Sequence, residues 1–193
     1  MSNDLQKAIE IFNKGGIVIF PTDTAFGIGC RMDNVKAVKR LFKLRKRPAF
    51  QATPVLVSGL EMAKDYLQPV SSDVTDKLVN PYWPGALTIV LPCDKNKVFP
   101  LIRGGGENIG VRMPNYSPLL TIIETLGVPI LGPSANFHGQ VTPYRYEDLS
   151  PSLIALADFV LKGDPVLKQV STVVDCSKNP WKILRKGAID INI

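Results

Sequence analysis

Short apolar runs that stop abruptly constrain this chain most. Ile17-Val18-Ile19-Phe20 ends at Pro21, and Val128-Pro129-Ile130-Leu131 ends at Gly132-Pro133. Val55-Leu56-Val57 and Leu87-Thr88-Ile89-Val90-Leu91 are runs of the same kind, and each has the length of a buried strand. Helical periodicity fills the intervals. Leu5, Ala8, Ile9 and Phe12 recur on one face before Gly15-Gly16 stops the helix, and Val35, Val38, Leu41 and Phe42 recur opposite Lys36, Lys39, Arg40 and Lys43. Further helices are expected over 61–67 and 72–79. Ser117-Pro118 supplies an N-cap and a first-turn proline, and Gly127 a C-terminal stop, for a helix burying Leu119, Ile122, Ile123 and Leu126. Ser150-Pro151 opens another helix, and 158–161 and 172–175 read as late strands. Such alternation predicts the α/β class, a sheet covered by helices.

At 193 residues and 45% hydrophobic content, the chain fits one domain, 1–193, with a sizeable core. Twenty-three basic against seventeen acidic residues leave a net charge of +6, which suits an anionic partner such as a nucleotide or RNA. Cys30, Cys93 and Cys176 show no CxxC spacing and His138 is the lone histidine, so no zinc site is expected. The odd cysteine count fits a reducing cytosol. No export signal opens the chain and no apolar run reaches membrane-spanning length, so a cytoplasmic protein without a membrane partner is expected.

Polar residues follow two of the strands. PSANFHG, 133–139, brings Ser134, Asn136 and His138 to the end of Ile130-Leu131, where ligands sit in open α/β sheets. FPTDTAFGIGC, 20–30, places Thr22, Asp23 and Thr24 at another strand end, with Phe26 set to plug the core. The same residue types serve any turn. Three arginines add chemistry, because a guanidinium grips a carboxylate or phosphate with two parallel hydrogen bonds. Arg47 ends a basic run. Arg112 and Arg185 lie in apolar strand-like patterns and need a partner, an internal acid or an anionic ligand; for Arg112 the ligand is favoured. RGGGENIG, 103–110, lacks the ending of a phosphate loop and reads as a turn. His138 aligns with no nucleophile, so hydrolase chemistry is not expected.

Taken in order, GGIVIFPTDTAFGIGC, LRKRP, PYWPGALTIVLP, IGVRMP, PILGPSANFHGQVTP, STVVD and ILRKGAI resemble the threonylcarbamoyl-AMP synthase family, the YrdC-like proteins. The resemblance implies a single-domain, twisted, open mixed sheet covered by helices (YrdC/RibB-like). It also implies an L-threonylcarbamoyladenylate synthase, a nucleotidyltransferase. That enzyme forms threonylcarbamoyl-AMP and pyrophosphate from L-threonine, bicarbonate or CO2, and ATP carrying Mg2+. The product then goes to a tRNA threonylcarbamoyl-transferase complex. The residues implied for L-threonine are Thr24, Arg112, Gly132 and Ser171. Those implied for ATP are Arg47, Gln51, Asn108, Ser134, Asn136, Thr142 and Arg185. Arg45 and Arg47 carry the implied catalytic roles, and no protein metal ligand is implied.

Two departures from the family pattern stand out. Arg45 replaces a common lysine, and Gln51-Ala52 stands where lysine or asparagine and then proline are usual. The chain has no room after ILRKGAI for the further domain of longer members, so the short form is expected. The alternatives are a protein binding tRNA or double-stranded RNA through residues 35–47, a low-activity YrdC-like paralogue, and a carbamoyl-transfer or sugar-phosphate enzyme on the same fold.

Overall fold

The computed structural model describes residues 2–192; the expected domain limits at 1 and 193 lie outside them. Helix α1 (Asn3–Asn13) starts where the Ser2 hydroxyl accepts from the Leu5 N–H, and it buries Ala8, Ile9 and Phe12. Strand β1 (Val18–Pro21) then doubles back antiparallel as β2 (Phe26–Gly29). Pro21 is itself the last paired residue of β1, since a missing N–H costs little at a strand end. Helix α2 (Val35–Leu44) is capped by the Asn34 side chain, which accepts from the Ala37 N–H at 3.0 Å. It buries Ala37, Val38, Leu41 and Phe42 and leaves its lysines in solvent; Val35, at its first position, is exposed.

Strand β3 (Val55–Leu56) and α3 (Leu60–Lys64) follow. Then α4 (Ser72–Val74), a π-helical turn (Thr75–Val79) and α5 (Asn80–Tyr82) run on as one irregular helical stretch. After β4 (Leu87–Pro92) and β5 (Asn108–Arg112) comes α6 (Ser117–Leu126). Its cap position is Tyr116 rather than Ser117, which is already helical, and Gly127 ends it at φ 66°, a left-handed conformation that glycine adopts without strain. Strand β6 (Ile130–Leu131), α7 (Pro151–Leu156), β7 (Phe159–Val160), β8 (Thr172–Asp175) and β9 (Lys182–Arg185) complete the order.

The strands form two mixed, open sheets, β2-β1-β7 and β6-β3-β5-β4-β8-β9, in agreement with the expected class. A seam joins them: Ile28 N donates to Pro133 O at 2.9 Å, Ala135 N to Phe26 O at 2.8 Å and Leu131 N to Cys30 O at 2.9 Å. The seam explains Gly29, where a Cβ would stand 1.8 Å from the Leu131 carbonyl oxygen. One apolar cluster packs α1 and α6 through Phe12, Phe20, Ile122 and Ile130. The larger one holds Ile17, Phe26, Val38, Leu41, Leu87, Ile89 and Val111. Each such side chain contributes about 1.5–3 kcal/mol by leaving water. The sheet they stiffen is the floor of the site.

Candidate anion-binding hollow

Strand register brings distant polar residues into one row. Val90 pairs with Gly110 and Ile89 with Val111, which sets Thr88 beside Arg112. Thr88 in turn pairs with Val173, and Val173 with Arg185. Because β4 and β8 begin where β5 and β9 end, both arginines emerge at the same edge. This row floors a hollow of about 250 Å³, walled by Thr22 and Thr24, by Ala52 to Pro54, and by Gly132, Ser134, Thr142 and Ser171. Gly110 keeps the floor low, as a Cβ there would lie 3.1 Å from the Thr88 methyl.

Arg112 is 6% exposed. Its Nε donates to Gly85 O at 2.9 Å, its Nη1 donates to Thr24 Oγ1 at 2.7 Å, and its Nη2 forms an ion pair with buried Asp23. An internal acid, one of the two partners its sequence context asks for, is thus present: the turn after β1 carries Asp23 beneath the end of β5. Asp23 Oδ2 is buried and has no hydrogen-bond partner among the described residues. Burial pushes the Arg112 guanidinium below its ordinary range, Asp23 opposes that, and Arg185 adds to it. Two cations thus share the hollow.

Arg185 has no carboxylate within ion-pair reach among the described residues. Its Nε donates to Ser171 O at 2.9 Å and its Nη2 to Ser171 Oγ at 3.0 Å, while Thr88 and Ser171 hydroxyls lie 2.8 Å apart. Burial lowers its affinity for its proton. An anion entering the hollow would relieve this cost.

Of the residues the family resemblance implies, the hollow gathers Thr24, Arg112, Gly132, Ser134, Thr142, Ser171 and Arg185. Arg45, Arg47, Gln51, Asn108 and Asn136 lie outside its lining. Arg45 is buried and donates from Nε to Asn136 O at 3.0 Å and from Nη2 to Asn136 Oδ1 at 2.9 Å, with Nη1 unpartnered among the described residues. Burial, aided by Arg47, lowers its pKa to about 9, so it stays charged near neutrality. Arg47 donates to Gln51 O at 3.2 Å and to Ala52 O, holding the segment that walls the hollow. Gln51 contributes its carbonyl there. Asn108, at the far end of β5, borders a different depression with Asp175 and Lys178. Asn136 touches the hollow only through Ser134, whose hydroxyl donates to it at 2.8 Å.

Sequence reading missed Thr88 and Gly110. The one signal for Thr88 was a lone hydroxyl in an otherwise apolar strand. Exposed His138 contributes its backbone N–H to Arg45 O at 2.8 Å and lies outside the lining. Among the described residues no lysine, histidine or carboxylate lines the hollow, and no group of three His, Cys, Asp or Glu stands ready for a metal ion. No described helix is long and apolar enough to cross a membrane.

Open mixed sheets of an α/β protein thus end in a concavity that holds one internally paired arginine and one that, among the described residues, has no carboxylate partner. A family profile named for Sua5, YciO and YrdC, and described as Telomere recombination, matches residues 10–187; the chain belongs to that family, as its motif order implied. It is 31% identical over 191 residues to the threonylcarbamoyl-AMP synthase of Bacillus subtilis (strain 168), covering 97% of this chain and 55% of that protein. The crystal structure of P. abyssi Sua5 complexed with L-threonine matches with a TM-score of 0.89 at 30% identity, over 95% of this chain and 54% of that one. The crystal structure of E. coli YciO matches with a TM-score of 0.86 at 25% identity, over 96% and 90% of the two chains. This chain spans about half the length of the Bacillus and Pyrococcus relatives.

Proposed function

We propose that this chain is an L-threonylcarbamoyladenylate synthase, using L-threonine, bicarbonate or CO2, and Mg2+-bound ATP. The observation that carries the reading is the convergence of Arg112 and Arg185 with seven hydroxyl side chains on one hollow. Relatives named threonylcarbamoyl-AMP synthase and the threonine-bound Sua5 structure support it. In the proposed reaction the deprotonated threonine nitrogen adds to CO2, and an oxygen of the resulting N-carboxylate attacks the α-phosphorus of ATP. The bond to the bridging oxygen breaks, and pyrophosphate leaves with its electron pair.

Such a transfer asks the protein for alignment and charge, not for covalent chemistry. The lining matches that demand, since it offers guanidinium and hydroxyl groups and, among the described residues, no acid-base pair. Arg112, already oriented by Asp23, Thr24 and Gly85, would take the threonine carboxylate; Ser171 and Thr88 would meet its polar groups. Arg185, without a carboxylate partner among the described residues, would offset phosphate charge. Arg45, Arg47, Gln51 and Asn136 would act through the loops they hold, and Asn108 from farther along β5. The hollow is slightly smaller than the roughly 300–1,000 Å³ of ordinary ligand pockets, so it suits the amino acid, with the nucleotide reaching out past Ser134 and Thr142. Magnesium would arrive on the ATP phosphates. The adenylate would then be consumed by a tRNA-modifying transferase.

The RNA-binding alternative has less support. Arg40 is paired with Asp158 and Arg45 is buried, so the basic 35–47 segment offers fewer free cations than its sequence suggests. Pyrophosphate release from Mg2+-ATP, with L-threonine and bicarbonate omitted in turn, tests the proposal. Release should need all three. Release without threonine refutes the substrate assignment, and none in any mixture refutes the synthase.

A further inference from the structure

Ser134 has one proton and two lone pairs, and its surroundings decide which of them the hollow receives. The Asn136 amide can sit only one way round. Its Nδ2 faces two carbonyl oxygens, Gln140 O and Val141 O, while its Oδ1 faces Arg45 Nη2 at 2.9 Å and Ser134 Oγ at 2.8 Å. Reversal would press its amino group against a guanidinium and its oxygen against two carbonyls. Arg45 has no lone pair to offer, and a second bond from Nε to Asn136 O at 3.0 Å pins it there. Oδ1 only accepts, so the proton between Oγ and Oδ1 comes from Ser134.

We infer that Arg45 and Asn136 are positioning residues that direct the Ser134 proton into the protein, so that Ser134 presents lone pairs and receives an N–H or O–H donor of the substrates, not a phosphate oxygen. The inference rests on the hollow being the substrate site. A phosphate oxygen placed at Ser134 would set lone pair against lone pair unless the bond to Asn136 first broke. A bare metal ion is disfavoured by Arg112 and Arg185 in the same hollow. Two sources of donor remain: the ribose hydroxyls or adenine amino group of ATP, and the ammonium or hydroxyl of L-threonine. Phosphate charge is left to Arg185.

Calorimetric titrations in EDTA, with ATP, L-threonine and tripolyphosphate as separate probes, test this. Ser134→Ala is expected to weaken ATP or L-threonine about three- to tenfold, the size of one neutral hydrogen bond, and to leave tripolyphosphate within about twofold. The probe that weakens identifies the source of the donor. Equal weakening of tripolyphosphate overturns the inference, and so does no change with any probe. Asn136→Ala frees the Ser134 proton and an Arg45 N–H, so tripolyphosphate should bind more tightly while the donor-bearing substrate binds less. A loss of general order would weaken all three probes and would overturn the positioning role. If Asn136→Ala does not fold, Ser134→Ala decides alone. Failure of the unaltered protein to bind ATP and L-threonine would defeat the substrate reading itself, a result distinct from those above.

Discussion

Asp23→Asn weighs the electrostatics of the hollow most directly. The substitution keeps the shape of the side chain. Its Oδ1 can still accept from Arg112, and its new amino group replaces Oδ2, which has no partner to lose. What vanishes is the charge that offsets Arg112, which is buried and also repelled by Arg185. Removing one partner of a buried ion pair costs about 3–5 kcal/mol, and the retained hydrogen bond puts this variant near the lower figure. For a chain of this size each kcal/mol moves the melting midpoint by about 2–4 °C, so a fall of about 6–12 °C is expected. Anions should then return part of the loss. Scanning calorimetry at low salt, with and without pyrophosphate or L-threonine, should show a larger ligand-induced rise in Asp23→Asn than in the unaltered protein. A midpoint within about 2 °C of the unaltered protein, or equal ligand gains in both, would refute the reasoning.

Three further outcomes follow from packing and titration. Gly29→Ala would drive a methyl into the Leu131 carbonyl at the seam, so it should cost about 3 kcal/mol or more in urea unfolding; an unchanged midpoint contradicts the close approach. Hydrogen bonds from Arg40 hold the Asp158 carboxyl below its ordinary 3.8, against the opposing effect of burial and with help from the Ile17 N–H. That depressed value stabilises the fold above about pH 4 and fades as pH falls through it, so Asp158→Asn should flatten the acid limb of the stability profile; an unchanged limb rejects the linkage. Burial pushes the Cys30 and Cys176 thiols up to about 12 and raises Cys93 as well. At pH 8 the native protein should therefore react slowly with a disulfide reagent and all three thiols rapidly in urea, and fast native labelling would contradict this.

What the sequence made legible was local, and what it hid was register. Helices α2 and α6 could be read because their apolar residues recur at helical spacing and their ends carry capping or stop residues. Strand β2 could not: FGIG alternates apolar side chains only with glycine and shows no polar face, and its second glycine is needed because a carbonyl from another sheet comes close. Arg112 could be read as needing a partner, but the choice between acid and ligand depended on Asp23, 89 residues away. Asn108 shares a strand with Arg112, yet at roughly 3.3 Å per residue four steps carry it about 13 Å from that guanidinium's position on the strand, past the Gly110 end of the floor. Arg45 is the instructive case. Its departure from lysine was visible, whereas its reason was tertiary: a planar fork reaches the backbone and side-chain oxygens of Asn136 at once, from Nε and Nη2. A lysine ammonium, a single point on a flexible stem, could not hold both acceptors in one fixed geometry. The substitution therefore fits a protein in which this side chain secures the Ser134 loop from behind, while the guanidinium groups that line the hollow are those of Arg112 and Arg185.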